Sequence, residues 1–154
     1  MEIGWMTPAE WPWLLAHATE TGLAQVPPAL RPTALPEVVA WQVQQMLCHV
    51  LSQPGAAVLV AREGQQPLGY LVVTVVPDEL TAQPVGFFYD IWVDPSRRGT
   101  GLSSQLTAAG EAYLKSLGLR LVRRAISAHN TASLRHALSD GCHIDRISLL
   151  KVLS

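Results

Sequence analysis

The sequence predicts an α/β domain of three layers, a mixed and mostly antiparallel sheet flanked by helices. Three observations carry this reading. From residue 85 onward the apolar periodicity alternates as strand, helix, strand, helix, strand. Before that, two valine- and leucine-rich runs flank a short polar turn, the pattern of an antiparallel meander. Two helix patterns precede the meander. With 154 residues and no internal repeat or low-complexity tract, one domain over 1–154 is expected.

The first helix starts at Thr7-Pro8-Ala9-Glu10. Thr7 can cap, Pro8 suits the first helical position and Glu10 completes a capping box. The helix should run to about Glu20 and stop near Gly22. Val26 to Pro36 carries four prolines and reads as irregular. The second helix, Glu37 to about Leu51, is marked by the stripe Val38, Val39, Val43, Met46, Leu47 and Val50, and Pro54-Gly55 ends it. Strands follow at Ala57–Arg62 and Leu68–Val76, joined by the turn Glu63–Pro67. Pro77–Pro84 is a loop and Val85–Val93 the next strand. Ser103–Leu117 is a helix ended by Gly118, with Leu102, Leu106, Ala109, Tyr113 and Leu117 on one face. Leu119–Ser127 reads as strand, Thr131–Asp140 as helix stopped by Gly141, and His143–Leu153 as a closing strand. Trp5, Trp11, Trp13 and Trp41 are expected in the core. Glu10, Glu20, Arg31 and Glu37 are scattered and read as surface.

The richest stretch is Val93-Asp94-Pro95-Ser96-Arg97-Arg98-Gly99-Thr100-Gly101-Leu102-Ser103. A strand pattern runs into a basic turn with two glycines and then into a helix, an order that builds an anion site. The glycines let backbone N–H groups converge, and the helix start adds unpaired N–H groups and the positive end of its dipole. Arg97 and Arg98 add charge suited to phosphate. A triphosphate-binding loop needs Lys-Ser or Lys-Thr after its second glycine, and Leu102-Ser103 stands there. A dinucleotide fingerprint needs a third glycine or alanine, at the place of Ser104, and an acidic residue about 20 positions on, where 120–124 has none.

The third pattern, Arg/Gln-x-x-Gly-x-Gly/Ala, fits Arg98-Gly99-Thr100-Gly101-Leu102-Ser103 except at its last position. This resembles the acyl-CoA loop of the GNAT superfamily of N-acyltransferases. Ile91-Trp92-Val93-Asp94-Pro95 is similar to the end of that family's central strand. Asn130, eleven residues before Gly141, resembles its second signature, Asn-x-x-Ala…Tyr…Gly-Phe. The resemblance covers Val85 to Leu153, and the N-terminal half by pattern only.

The resemblance implies an N-acetyltransferase that moves an acetyl group from acetyl-CoA to a primary amine by direct attack. It implies backbone contacts to the pyrophosphate from Arg98, Gly99, Gly101 and Ser103, with Arg97, Thr100, Leu102 and Ser104 close by. Ser103 takes the family's Gly/Ala place; its hydroxyl can donate to phosphate, the favoured reading because serine is small and at home at helix starts, or its bulk pushes the pyrophosphate away. Ile91, Trp92 and Val93 would lie along the pantetheine arm, with a strand bulge freeing backbone groups, or Trp92 is simply core. Asn130, with Ser133 beside it, would contact the cofactor and cap its helix. Asp90 and Tyr89 are the candidate bases, since a carboxylate in the apolar run Phe87–Val93 has its pKa raised by burial; the alternative is a structural Asp. The family's Tyr falls at Ala137 and its Phe at Cys142. His136, Cys142, His143 and Ser133 are the nearby proton donors, and none has the family's precedent. A second reading keeps the fold without the chemistry, as an acyl-CoA sensor or interaction module. A third is a different phosphate-ligand protein.

A formal net charge of −1 gives no global attraction to nucleic acid or anionic membrane, so anion binding must be local. Hydrophobic content of 49% with 15% charged residues suits a full core. Cys48 and Cys142 show no zinc or redox spacing, and no metal is expected. No leader or membrane span is recognised, which makes a cytoplasmic, reduced protein the expectation. Thirteen residues follow Gly141, room for one good strand or two very short ones where the family commonly has two joined by a loop. A second copy could complete that edge, so a homodimer is expected.

Overall fold

Alternating side chains of the central strands decide the layering. The computed structural model describes residues 1–154. Its elements are β1 (Glu2–Trp5), α1 (Trp11–Gln25), α2 (Pro36–Leu51), β2 (Ala57–Glu63), β3 (Gln66–Pro77), β4 (Pro84–Val93), α3 (Leu102–Ser116), β5 (Val122–Arg124) and α4 (Thr131–Ser139), with short 3₁₀ segments between some of them, the longest being Pro28–Thr33. The sheet order is β1-β2-β3-β4-β5. The first three pairings are antiparallel; β4 and β5 run parallel, joined by α3 as the crossover.

In β2, Val58 and Val60 face one way and Leu59 and Ala61 the other. The first pair packs with Tyr70, Val72 and Trp92 against Leu14 and Ala18 of α1 and Leu47 of α2. The second pair packs with Leu68, Leu71, Val73 and Phe88 against Leu102, Leu106 and Leu114 of α3. These two cores lie between the three layers expected from the sequence.

Several expectations are corrected. β1 is a strand the sequence reading did not contain; it pairs Ile3 with Ala61 at the sheet edge. α1 passes through Gly22 instead of ending there. A Cβ at Gly22 would lie 2.9 Å from Val43 Cγ2, so this glycine marks the close crossing of α1 and α2. The Thr7–Glu10 box forms, with the Thr7 N–H donating to Glu10 Oε2 at 2.8 Å. Glu10 is no surface residue, however: it accepts from Arg62 Nε at 2.6 Å and its side chain is 13% exposed. Trp5 and Trp41 are 57% and 59% exposed, outside the core. The expected strand Leu119–Ser127 shortens to Val122–Arg124, because β4 offers it only Gly86, Phe87 and Phe88 as partners. His143–Leu153 forms no strand. That segment is held by ion pairs of Asp145 with Arg123 (2.9 Å) and Arg146 with Glu79 (3.1 Å), and its Ile147 and Leu149 side chains face outward.

Candidate active site

Two local devices at the end of β4 shape the site. The first is the loop into α3. Asp94 Oδ1 accepts from the N–H (2.8 Å) and hydroxyl (2.6 Å) of Ser96, which turns the chain and holds the Asp94 carboxyl below its usual range. Gly99 and Gly101 then adopt φ of +74° and +84°, left-handed values that a side chain resists. No atom lies within 4 Å of where a Cβ would stand on either glycine. The N–H groups of Gly99, Gly101, Leu102, Ser103 and Ser104 donate to no backbone carbonyl; the first helical bond is Gln105 N–H to Gly101 C=O. The result is an open concavity of unpaired donors at a helix start, complementary to phosphate. Thr100 is turned back onto the Arg97 carbonyl through its hydroxyl. The two arginines separate in role. Arg97 forms an ion pair with Glu63 in the β2–β3 hairpin, whereas Arg98 has no carboxylate partner and is the loop's uncommitted cation.

The second device is a bulge. Opposite Val72 stands Asp90 and opposite Val73 stands Phe88, so Tyr89 is the extra residue. Phe88 joins the core under α3, while Asp90 shares the α1/α2 face with Val72 and Tyr70. Beyond the bulge Ile91 and Val93 pack toward α3 and Trp92 toward α1 and α2. The β4–β5 ladder ends at the same point, with Phe88 and Arg124. From there the strands part, and β4 from Tyr89 to Val93 has no partner on that side. A cavity of about 50 Å³ opens in the split, lined by Asp90, Ile91, Thr107, Arg124, Asn130 and Ser133 among others.

Asp90 is the titratable group of this junction. Burial pushes its carboxyl up to about 6, against the hydrogen bond that Tyr70 Oη donates at 2.7 Å. Burial and the Asp90 charge raise the Tyr70 phenol far above its ordinary range and also raise the Tyr89 phenol. Tyr89 sits half-buried beside an apolar groove of α2 formed by Met46 and Val50 with Gln45 and His49. The Trp92 indole is core: its ring stacks on His17 with centroids 3.7 Å apart, so only its backbone borders the split. Asn130 caps α4 through Ser133 N–H (3.2 Å) while lining the cavity. His129 is committed elsewhere, donating Nε2–H to the Ala24 carbonyl at 2.7 Å. Ala137 is buried with no proton to give. Sequence reasoning missed Tyr70 and Arg124. Each lies in an apolar or basic strand run, and only the strand register brings them to Asp90 and to the split.

Residues 19–138 match the sequence model of the acetyltransferase (GNAT) family. The chain belongs to this family. Mycothiol acetyltransferase of Thermobispora bispora is 48% identical over 52 residues, 34% of this chain and 18% of that protein. The enzyme of the same name from Thermomonospora curvata is 31% identical over 103 residues, 65% of this chain and 33% of that protein. The chain thus spans a third or less of the length of these curated relatives. In solved structures, aminoglycoside 6′-N-acetyltransferase of Acinetobacter haemolyticus shares the fold, with a TM-score of 0.71 over 100% of this chain and 99% of that one at 20% identity. GNAT enzymes use acetyl-CoA. The open Gly99/Gly101 cradle, with five unpaired N–H groups and the free Arg98, fits the pyrophosphate of that cofactor.

Proposed function

We propose that this chain transfers an acetyl group from acetyl-CoA to a primary amine of a small molecule or peptide, in a ternary complex. The observation that carries the reading is the coincidence at one bulge of a parted strand pair, a phosphate-type cradle downstream, and a buried carboxyl poised near neutral pH. When bound, acetyl-CoA supplies a thioester carbonyl to the amine, and its sulfur leaves with the electron pair. The free N–H groups of Gly99, Gly101, Leu102, Ser103 and Ser104 and the Arg98 guanidinium would hold the pyrophosphate. The unpaired stretch Tyr89–Val93 offers peptide groups to the pantetheine arm and to the carbonyl oxygen. Asp90, ionised above pH ~6, takes the amine proton directly or through one water. Tyr70 fixes the carboxylate by its hydrogen bond, and Tyr89 borders the acceptor's approach. No Tyr stands at Ala137, so the proton for the departing thiolate would come from water or from one of His136, Cys142, His143 and Ser133.

That same Ala137 favours a second reading, an acyl-CoA-binding sensor of the same fold. Calorimetric titration with acetyl-CoA, followed by thiol release against a panel of amines, separates the two. Micromolar binding with release supports the transferase, and binding without release by any amine supports the sensor. No binding at millimolar acetyl-CoA refutes both. The reading includes a cytoplasmic location, in keeping with two free cysteines, and a homodimer through the outward apolar side chains of 144–153. Only monomer in sedimentation at micromolar concentration counts against the dimer. No helix is long and apolar enough to cross a membrane.

A further inference from the structure

Arg124 is a charge without a partner. It is the last residue of β5, half-buried, and faces the split between β4 and β5. Its neighbour Arg123 is bound to Asp78 and Asp145, yet the Arg124 guanidinium makes no ion pair and no hydrogen bond with the protein. Asp140 and Cys142 are the acidic groups whose fields reach it, and neither pairs with it. Burial lowers its pKa, but an arginine so placed stays protonated. The carboxylate that shares the cavity, Asp90, belongs to the other face of the sheet and is bonded to Tyr70.

Two more lining residues carry donors that no protein acceptor uses. Asn130 uses its Oδ1 for the α4 cap and leaves its Nδ2 free, and the Ser133 hydroxyl has no partner. Thr107, by contrast, is satisfied by the Ser104 carbonyl at 3.1 Å. A forked cation, an amide N–H and a hydroxyl around one small cavity are the donor set that a planar carboxylate satisfies. The acetyl group and the pantetheine amides are neutral: their carbonyls can accept from Asn130 and Ser133 but leave the Arg124 charge unmatched.

We propose that Arg124, with Asn130 and Ser133, forms a carboxylate-binding subsite in the β4–β5 split, so that a ligand of this chain carries a carboxylate. The proposal rests on the acyltransferase reading above and names its substrate class. The carboxylate has two possible sources with the same chemistry: the distal end of a dicarboxylic acyl thioester, or an acceptor of the amino-acid type.

Calorimetry distinguishes them. One arm compares succinyl-CoA with acetyl-CoA on the chain alone. The other compares phenylalanine with phenethylamine on the CoA-saturated chain, with the two KM values measured in parallel. A charge-assisted contact of this kind gives the carboxylate-bearing probe of one arm about tenfold tighter binding or more. In Arg124→Gln the ratio of the two dissociation constants falls to near one, and Arg124→Lys restores part of it; thermal melts show that each variant is folded. Wild-type protein that binds acetyl-CoA and prefers the carboxylate in neither arm overturns the proposal, as does a preference that survives Arg124→Gln. Failure to bind acetyl-CoA at all is a different result: it removes the acyltransferase reading itself.

Discussion

Replacing Asp90 by Asn should make this protein more stable and less active, with both effects dependent on pH. In the folded chain burial raises the carboxyl pKa from 3.8 to about 6. Between those values the native state holds a proton that the unfolded state has released. Stability therefore falls as pH rises across that window and stays low above it. A difference of about 2 units is worth about 3 kcal/mol. The Asn amide brings an additional N–H donor to the site, for which about 1 kcal/mol is subtracted. The net gain at pH 7.5 is then about 2 kcal/mol, or a rise in Tm of about 4–8 °C for a chain of this size. Near pH 4 the gain vanishes, because the folded acid is protonated and the unfolded one is close to half-protonated, which leaves a linkage contribution no larger than the amide's cost. Urea titrations at pH 4 and 7.5 measure the two values. The turnover of the variant should drop about 10²-fold or more, and the rise in wild-type kcat/KM through pH ~6 should disappear. An Asn variant that is less stable than wild type at pH 7.5, by a margin that grows with pH, would refute the argument. Asp90 would then be an ionised anchor for Tyr70 and not a base.

Gly101→Ala forces a side chain into a left-handed conformation at φ +84° and should weaken acetyl-CoA binding about tenfold or more, with ~1–2 kcal/mol lost in stability; an unaltered dissociation constant by calorimetry counts against the cradle. Gly110→Ala places a Cβ 2.5 Å from Leu71 Cδ2 and 2.8 Å from Phe88 Cε1, so these buried side chains or α3 must shift. Denaturant unfolding should show a loss of about 1–3 kcal/mol. Glu10→Gln leaves Arg62 with its 2.6 Å partner neutralised and should cost about 3 kcal/mol at pH 7. The Arg62 hydrogen bond holds the Glu10 carboxyl below 4.5, so this contribution is present above that pH and is lost as pH falls below it. A wild-type-minus-variant difference that does not shrink in acid argues against the ion pair.

The cradle was legible because it is local. Gly99, Gly101 and the helix start at Leu102 fix each other within a few residues, and no distant contact is needed. The helices α2 and α3 were legible for the same reason, through a continuous apolar stripe. Asp90 was legible as an anomaly in an apolar run, but its direction was not. Strict alternation puts Phe88 and Asp90 on one face, and only the bulge at Tyr89, created by pairing with β3, turns them apart. Tyr70 entered the site through a register set with a strand 20 residues away. The apolar alternation of His143–Leu153 misled because alternation alone makes no strand: the segment lies by β5 through the Arg123–Asp145 ion pair and forms no ladder with it. Arg62 and Glu10, 52 residues apart, show the same limit for charge: each alone reads as solvated surface.

β5 holds on to β4 by three residue pairs and then lets go. Because no ladder spans the parted stretch, an entering molecule breaks none of the protein's own bonds there. One that presents peptide-like donors and acceptors instead extends the sheet, as a borrowed strand would. Occupancy and folding then become two views of a single equilibrium, and the concentration of that molecule sets how firmly the C-terminal third of the domain is closed.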